Sequence, residues 1–276
     1  MQYNTINKIK YKIRKITEYP LVEIQDQIAI RPPKQKISPV VYQTWIDNKF
    51  GKTHAKSLYE FRNLNKNLSF FIYSDTAIDE YMKKYWGKKK IYDIFKNALI
   101  GPLKTDIFRY CILYDKGGYY FDISRGCKIP LTKLHNKDSK FILTYEDTEC
   151  YMTPSNSKLF NLKRPFNHIL QWGLAFEKRS PFLKMLINEI VKIYPLYKNK
   201  IFENPKTAIL NFTGPGMYTK TMRHFLYKNK IKDFTELDIK FNNNGIFKLN
   251  GSQIRYHFQP TYTYLKNKKI FLNKYN

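Results

Sequence analysis

The stretch from Gly101 to Ser124 restricts this chain more than any other, because it is a helix punctuated at both ends that runs directly into a strand. Gly101-Pro102 opens the helix, with proline in the first turn, and Gly117 closes it as a left-handed cap. Leu99, Leu103, Ile107, Cys111 and Tyr114 recur at three- and four-residue steps, the stripe of a helix packed on one face. The aromatic run Tyr119-Tyr120-Phe121 then reads as a short buried strand that delivers Asp122 at its end. In a parallel α/β sheet the helix runs antiparallel to the strands, so its first turn lies at the edge where strands end. Asp106 and Asp122 meet at that edge, and Arg109, about 4.5 Å further along the axis on the same face, reaches the same rim. Open α/β sheets hold their ligands at this edge. From spacing alone a second reading stays open, an Asp106–Arg109 helical ion pair beside an aspartate that merely ends a strand.

The string Thr105-Asp106-Ile107-Phe108-Arg109, continued by Gly117-Gly118-Tyr119-Tyr120-Phe121-Asp122-Ile123-Ser124, is similar to the signature of family 32 glycosyltransferases. That group includes initiation-specific α-1,6-mannosyltransferases and many capsule and lipopolysaccharide sugar transferases. The resemblance implies an α/β domain of the GT-A type, a single mixed, mostly parallel sheet flanked by helices. It implies an enzyme that moves a hexose from a UDP- or GDP-linked sugar to a glycan or lipid-linked acceptor, with retention, in surface polysaccharide or glycoconjugate synthesis. Carried over by position, Asp106, Arg109 and Asp122 form the catalytic set. Asp106 and Arg109 would hold the donor, Tyr120 would lie against its ribose, and Asp122 would be the first aspartate of an Asp-x-Asp motif. In the family that motif binds the diphosphate through a divalent cation, Mn²⁺ or Mg²⁺. Ser124 stands in place of the second aspartate here. A neutral hydroxyl is a weaker ligand for a hard cation than a carboxylate, so metal dependence is open and Arg125 is a second means of holding the diphosphate.

Three further segments fit the same resemblance. Ile37-Ser38-Pro39-Val40-Val41-Tyr42-Gln43-Thr44-Trp45-Ile46 matches the family's opening strand and puts Trp45 at the strand end, as a platform for the donor's base or as a core aromatic. Leu68 to Asp75 is the second strand, with Asp75 as the cap of the next helix. Thr213-Gly214-Pro215-Gly216 matches a family motif in which Gly214 would let backbone N–H groups approach an anion, or simply turn into a helix. Arg255-Tyr256-His257-Phe258 resembles the family's late histidine region, and the resemblance implies His257 as a metal ligand with Asp122. Trp172 and Glu177 fall where the family faces its acceptor, with core packing the alternative for Trp172.

Composition bears on partners and compartment. Lys and Arg number 49 against 22 Asp and Glu, a net charge of +27 that attracts anions. Residues 6–16 set Ile6, Ile9, Ile13 and Ile16 on one helical stripe among Lys8, Lys10, Lys12, Arg14 and Lys15. Such a helix lies on an anionic membrane surface or packs its isoleucines on the domain. Pro32-Pro33 separates this basic arm, residues 1–36, from a transferase domain over 37–276. Cys111, Cys127 and Cys150 lack paired metal spacing and suit free thiols. With no apolar run of membrane-spanning length, the expectation is a cytoplasmic protein, peripheral on a membrane's inner face. No compact nucleic-acid motif is present, which argues against nucleic acid as a partner. Two other readings stand beside the enzyme: a noncatalytic binder of anionic polymer, and a degenerate transferase that binds nucleotide sugar without turnover.

Overall fold

The computed structural model describes residues 16–150, 160–229, 231–254 and 262–272. In chain order its elements are β1 (Val22–Glu23), β2 (Val40–Thr44), β3 (Lys49–Phe50), α1 (Lys52–Leu64), β4 (Ser69–Tyr73), α2 (Asp75–Trp86), α3 (Lys90–Asn97), α4 (Gly101–Lys116), β5 (Gly118–Phe121), β6 (Gly126–Cys127), β7 (Ile142–Glu149), β8 (Asn167–Ile169), β9 (Gly173–Phe176), α5 (Pro181–Ile193), β10 (Ile201–Phe202), α6 (Pro205–Phe212), α7 (Pro215–Lys228), β11 (Thr235–Asp238), β12 (Gly245–Ile246) and β13 (Lys268–Lys269).

The central sheet has the order β4-β2-β5-β9, in which β4, β2 and β5 are parallel and β9 is antiparallel to β5. Strand alternation divides its aromatic residues between two cores. Tyr120 faces the α4 side with Ile107, Phe108 and Tyr110, while Tyr119 and Phe121 face Phe61, Phe70 and Trp172. Each buried ring contributes about 2 kcal/mol of transfer free energy. A three-stranded sheet, β11-β7-β8, joins the central one through a Phe141–Phe176 bridge. This mixed sheet flanked by helices agrees with the GT-A expectation.

Helix α4 and strand β5 lie where the punctuation puts them, with two adjustments. Leu99 lies before the helix and is half exposed, its N–H donating to Ile270 O, so it is not part of the packed stripe. Gly117 has φ 66° and ψ −174°, an extended conformation open to glycine alone rather than the left-handed helical one. At the start of α2 the cap is Ser74, whose hydroxyl accepts from Ala77 N at 3.2 Å, and Asp75 is the first helical residue.

Part of the arm is built onto the domain: β1 pairs with β3, Ile24 is buried, and Gln27 bridges Phe70. The isoleucine stripe up to residue 15 lies outside the described residues. None of the three cysteines is in a disulfide. Among the described residues no helix is long and apolar enough to cross a membrane.

Candidate functional site

Strand β5 ends at Phe121, and Asp122 follows as the chain turns, its N–H donating to Trp172 O at 2.9 Å and its carbonyl accepting from Arg125 N at 2.8 Å. Helix α4 enters the same edge, and Arg109 joins the two carboxylates. Its Nη2 lies 3.0 Å from Asp122 Oδ1 and 3.4 Å from Asp106 Oδ1, and its Nη1 donates to Gln171 O at 3.1 Å. The convergence expected from spacing is therefore present.

The three members differ in environment. Asp106 is buried, and its oxygens are already engaged: Oδ1 accepts from Gln171 Nε2 at 3.0 Å and Oδ2 from Thr213 Oγ1 at 3.0 Å. Burial pushes its carboxyl above the usual range, against the opposing pull of Arg109, Thr213 and Gln171. Arg109 is raised further above its ordinary value, because Asp122 and Asp106 outweigh its own burial, so it stays a cation. Asp122 keeps 32% of its side chain open to solvent. It is the carboxylate a ligand can reach.

Tyr120 is fully buried below Arg109, whose guanidinium sits 4.5 Å from the ring centre. Its hydroxyl pairs with Thr44 Oγ1 at 2.9 Å. The ring thus bears on the rim through Arg109 rather than with its own face. Trp45 follows β2, with its N–H donating to Tyr73 O at 3.1 Å, and is half-buried in near-parallel contact with Phe50, ring centres 6.4 Å apart. Ser124 is half-buried in the turn, and its carbonyl accepts from Leu249 N at 2.8 Å. Arg125 lies 3.7 Å from the ring centre of Phe247 and 5.8 Å from that of Trp172. These contacts hold its cation at the turn of Asp122.

Gly214 does not form an anion cradle here. Its N–H donates to Ile209 O at 3.0 Å, and a Cβ would come within 2.8 Å of Leu210 Cα, so glycine is required by the close packing of α6 on the start of α7. Glu177 lies at the far end of β9: antiparallel pairing sets Gly173 opposite Phe121 but Phe176 opposite Gly118, so only Trp172 is at the ligand edge. His257 lies outside the described residues.

Sequence reasoning missed Gln171 and Tyr110 and took Thr213 only as the first residue of the Thr213–Gly216 motif. Gln171 Nε2 also meets Tyr110 Oη at 2.7 Å, and Tyr110 Oη donates to Thr213 O at 2.7 Å, so one polar network ties α4, the approach to β9 and the α6–α7 junction together. A polar Gln between Leu170 and Trp172 was the available signal. The far wall of the site is a turn in which Lys240, Phe241, Asn242 and Asn243 all have positive φ. Asp238 Oδ1 accepts from Ile239 N at 2.8 Å and Thr144 Oγ1 from Phe241 N at 2.8 Å, which fixes the Phe241 ring 5.7 Å from Trp172.

The residues described do not make a cation site by themselves. Asp122 Oδ1 is engaged by Arg109, a hydroxyl takes the second motif position, and among the described residues no group of three or more His, Cys, Asp or Glu gathers. Mg²⁺ takes six oxygens, several of them waters, and is usually held by one or two carboxylates together with the phosphates of a ligand.

The model of the glycosyltransferase sugar-binding region containing the DXD motif matches residues 5–141. An initiation-specific α-1,6-mannosyltransferase of Candida albicans is 25% identical over 247 residues, 79% of this chain and 63% of that protein. The chain thus spans less than two thirds of that relative's length. An inositol phosphoceramide mannosyltransferase of Schizosaccharomyces pombe is 25% identical over 254 residues, 82% of this chain and 77% of that protein. Among solved structures, the PaToxG glycosyltransferase aligns with a TM-score of 0.45 and 15% identity, covering 82% of this chain and 78% of its own.

Proposed function

This chain belongs to the family that carries the glycosyltransferase sugar-binding region with the DXD motif, and on that premise we propose that it transfers a hexosyl unit from a nucleotide sugar to a glycan or lipid-linked acceptor. The observation that carries the proposal is Arg109 bridging Asp106 and Asp122 at the carboxyl edge of the sheet. In this reading Asp122 and Arg109 face the donor. Asp106, committed to Gln171 and Thr213, works by fixing Arg109. Mannose is the favoured hexose, since both relatives are mannosyltransferases.

Transfer puts negative charge on the departing diphosphate and positive charge on the sugar ring. Fixed charges aimed at both lower the barrier because they need no reorganisation as the charges develop. In this reading Arg125, packed 3.7 Å from the Phe247 ring centre, meets the diphosphate, and the Asp122 carboxylate favours the cationic sugar. A divalent cation would neutralise diphosphate charge if bound with the donor. Ser124→Asp is then expected to tighten Mn²⁺ binding measured by calorimetry in the presence of UDP or GDP, by restoring an anionic ligand. Equal Mn²⁺ affinity in the variant would remove the cation from this reading.

The test of the function is turnover of a panel of UDP- and GDP-sugars by the intact chain and by Asp122→Asn. Hydrolysis or transfer should fall by roughly 10²–10³-fold in the variant. Full activity without Asp122 would overturn the proposal. Donor binding without turnover in the parent chain would favour the degenerate transferase, which Ser124 supports.

A further inference from the structure

At the other end of α4, nine residues and about 13 Å beyond Asp106, the described residues line a half-open pocket of about 530 Å³. Its walls come from the end of α2 (Tyr85, Trp86), the end of α4 (Tyr114, Asp115), Arg179 and the first turns of α5 (Lys184). Its size falls within the roughly 300–1,000 Å³ of small-ligand pockets.

Its one lining carboxylate is already committed. Asp115 Oδ2 accepts from Trp86 Nε1 at 2.7 Å and from Tyr81 Oη at 2.9 Å, and Oδ1 takes Arg179 Nη1 at 3.3 Å. Lys89, Lys184 and Arg179 surround it, so the cavity is net positive. Arg179 is held there at some strain: its φ is 62°, its N–H donates to Tyr114 O at 2.8 Å, and its guanidinium packs 5.0 Å from the Tyr114 ring centre. A left-handed non-glycine residue costs about 1–2 kcal/mol. Its side chain is 60% exposed, leaving guanidinium N–H groups free to form a fork for a carboxylate. Tyr85 is half exposed, with Lys84 and Lys116 lying 5.3 and 5.4 Å from its ring centre. Tyr81 packs against one part of the Tyr85 ring, centres 4.7 Å apart, and the exposed remainder of Tyr85 beside these cations matches a ligand that has both apolar ring faces and carboxylates.

We propose that this cavity is a second saccharide subsite that binds an acidic oligosaccharide, remote from the donor edge. The exposed part of Tyr85 takes the C–H face of a sugar ring, Tyr114 holds Arg179 in position, and Arg179 with Lys184 takes the carboxylates. The inference does not depend on the transferase reading, because it concerns binding alone.

The experiment is a calorimetric titration of the intact chain at about 0.1 M salt with an oligomer of six galacturonate units. Neutral maltohexaose and tripolyphosphate are titrated in parallel. The acidic oligomer should bind, and maltohexaose should not. Tyr85→Ala and Arg179→Gly should each weaken binding about tenfold, a loss of about 1.4 kcal/mol, with donor turnover unchanged. Glycine suits φ 62°, so Arg179→Gly removes the fork without straining the fold. Unchanged affinity in a variant with a native unfolding midpoint would overturn the proposal. So would equal binding of maltohexaose, or tripolyphosphate binding as tightly and indifferent to Tyr85→Ala.

Discussion

Asp106 is a buried carboxylate held by Arg109 one turn along its own helix and by two donors brought from distant parts of the chain. Thr213 is 107 residues away and Gln171 is 65. Thr213→Val keeps the shape of the side chain but leaves Oδ2 without its hydroxyl, and an unsatisfied buried acceptor costs about 1–3 kcal/mol. The urea midpoint should fall accordingly; an unchanged midpoint would show that Thr213 is not the partner that matters. Asp122→Asn, by contrast, leaves buried Arg109 its pairing with Asp106 and an amide oxygen to donate to, and should lower the urea midpoint less than Thr213→Val does. Asp106, Arg109 and Asp122 were legible in the sequence because helix pitch and strand ends fix where such residues emerge. Gln171 and Thr213 were not, since no local period reports a contact made across the fold. Tyr120 was named for the site, yet strand alternation turns its ring under Arg109.

Among the elements, α4 followed directly by β5 could be read from glycine and proline punctuation and an apolar stripe. The reversed direction of β9 could not, because a short apolar run looks the same in either orientation. That reversal removes Glu177 from the ligand edge. The junction of α4 and β5 rests on Gly118, which has φ 108° and would carry a Cβ 2.5 Å from Val40 O. Gly118→Ala should therefore displace β5 from β2 and cost more than about 2 kcal/mol, well beyond the loss for a glycine in an unconstrained loop. Thermal unfolding checks this, and a variant as stable as the parent would mean the strand pairing is looser than the register implies. The sequence leaves Gly214 open between an anion cradle and a plain turn, because glycine next to a helix start has both uses, and the contact with Leu210 favours the turn.

For the molecule as a whole, acidity is the sharper probe. Burial holds His54, His135 and His168 below the ordinary histidine range. Below about pH 6.5 the unfolded chain takes up protons that these folded side chains refuse, so stability rises with pH in that window and falls on acidification through it. The chemical-denaturation midpoint should drop between pH 7.5 and 5.5, and His54→Gln should flatten part of that slope. A midpoint that climbs on acidification would contradict the assignment. The net charge of +27 acts on a longer scale. Deleting residues 1–15 should release the protein from anionic vesicles at moderate salt without altering donor turnover, if that basic stripe is the anchor. Undiminished vesicle binding would place the attraction on the folded surface. The compositional bias was plain in the sequence, but which cations share a cavity depends on how helix ends come together.

The turn at Lys240–Asn243 winds the wrong way for four consecutive L-residues. Its mirror image would be ordinary backbone, so this short arc of the site wall favours the opposite chirality to the rest of the fold. The whole chain assembled with D-asparagine at position 243 should be at least as stable as the natural one in thermal unfolding, whereas the same inversion at Tyr120 would break the sheet.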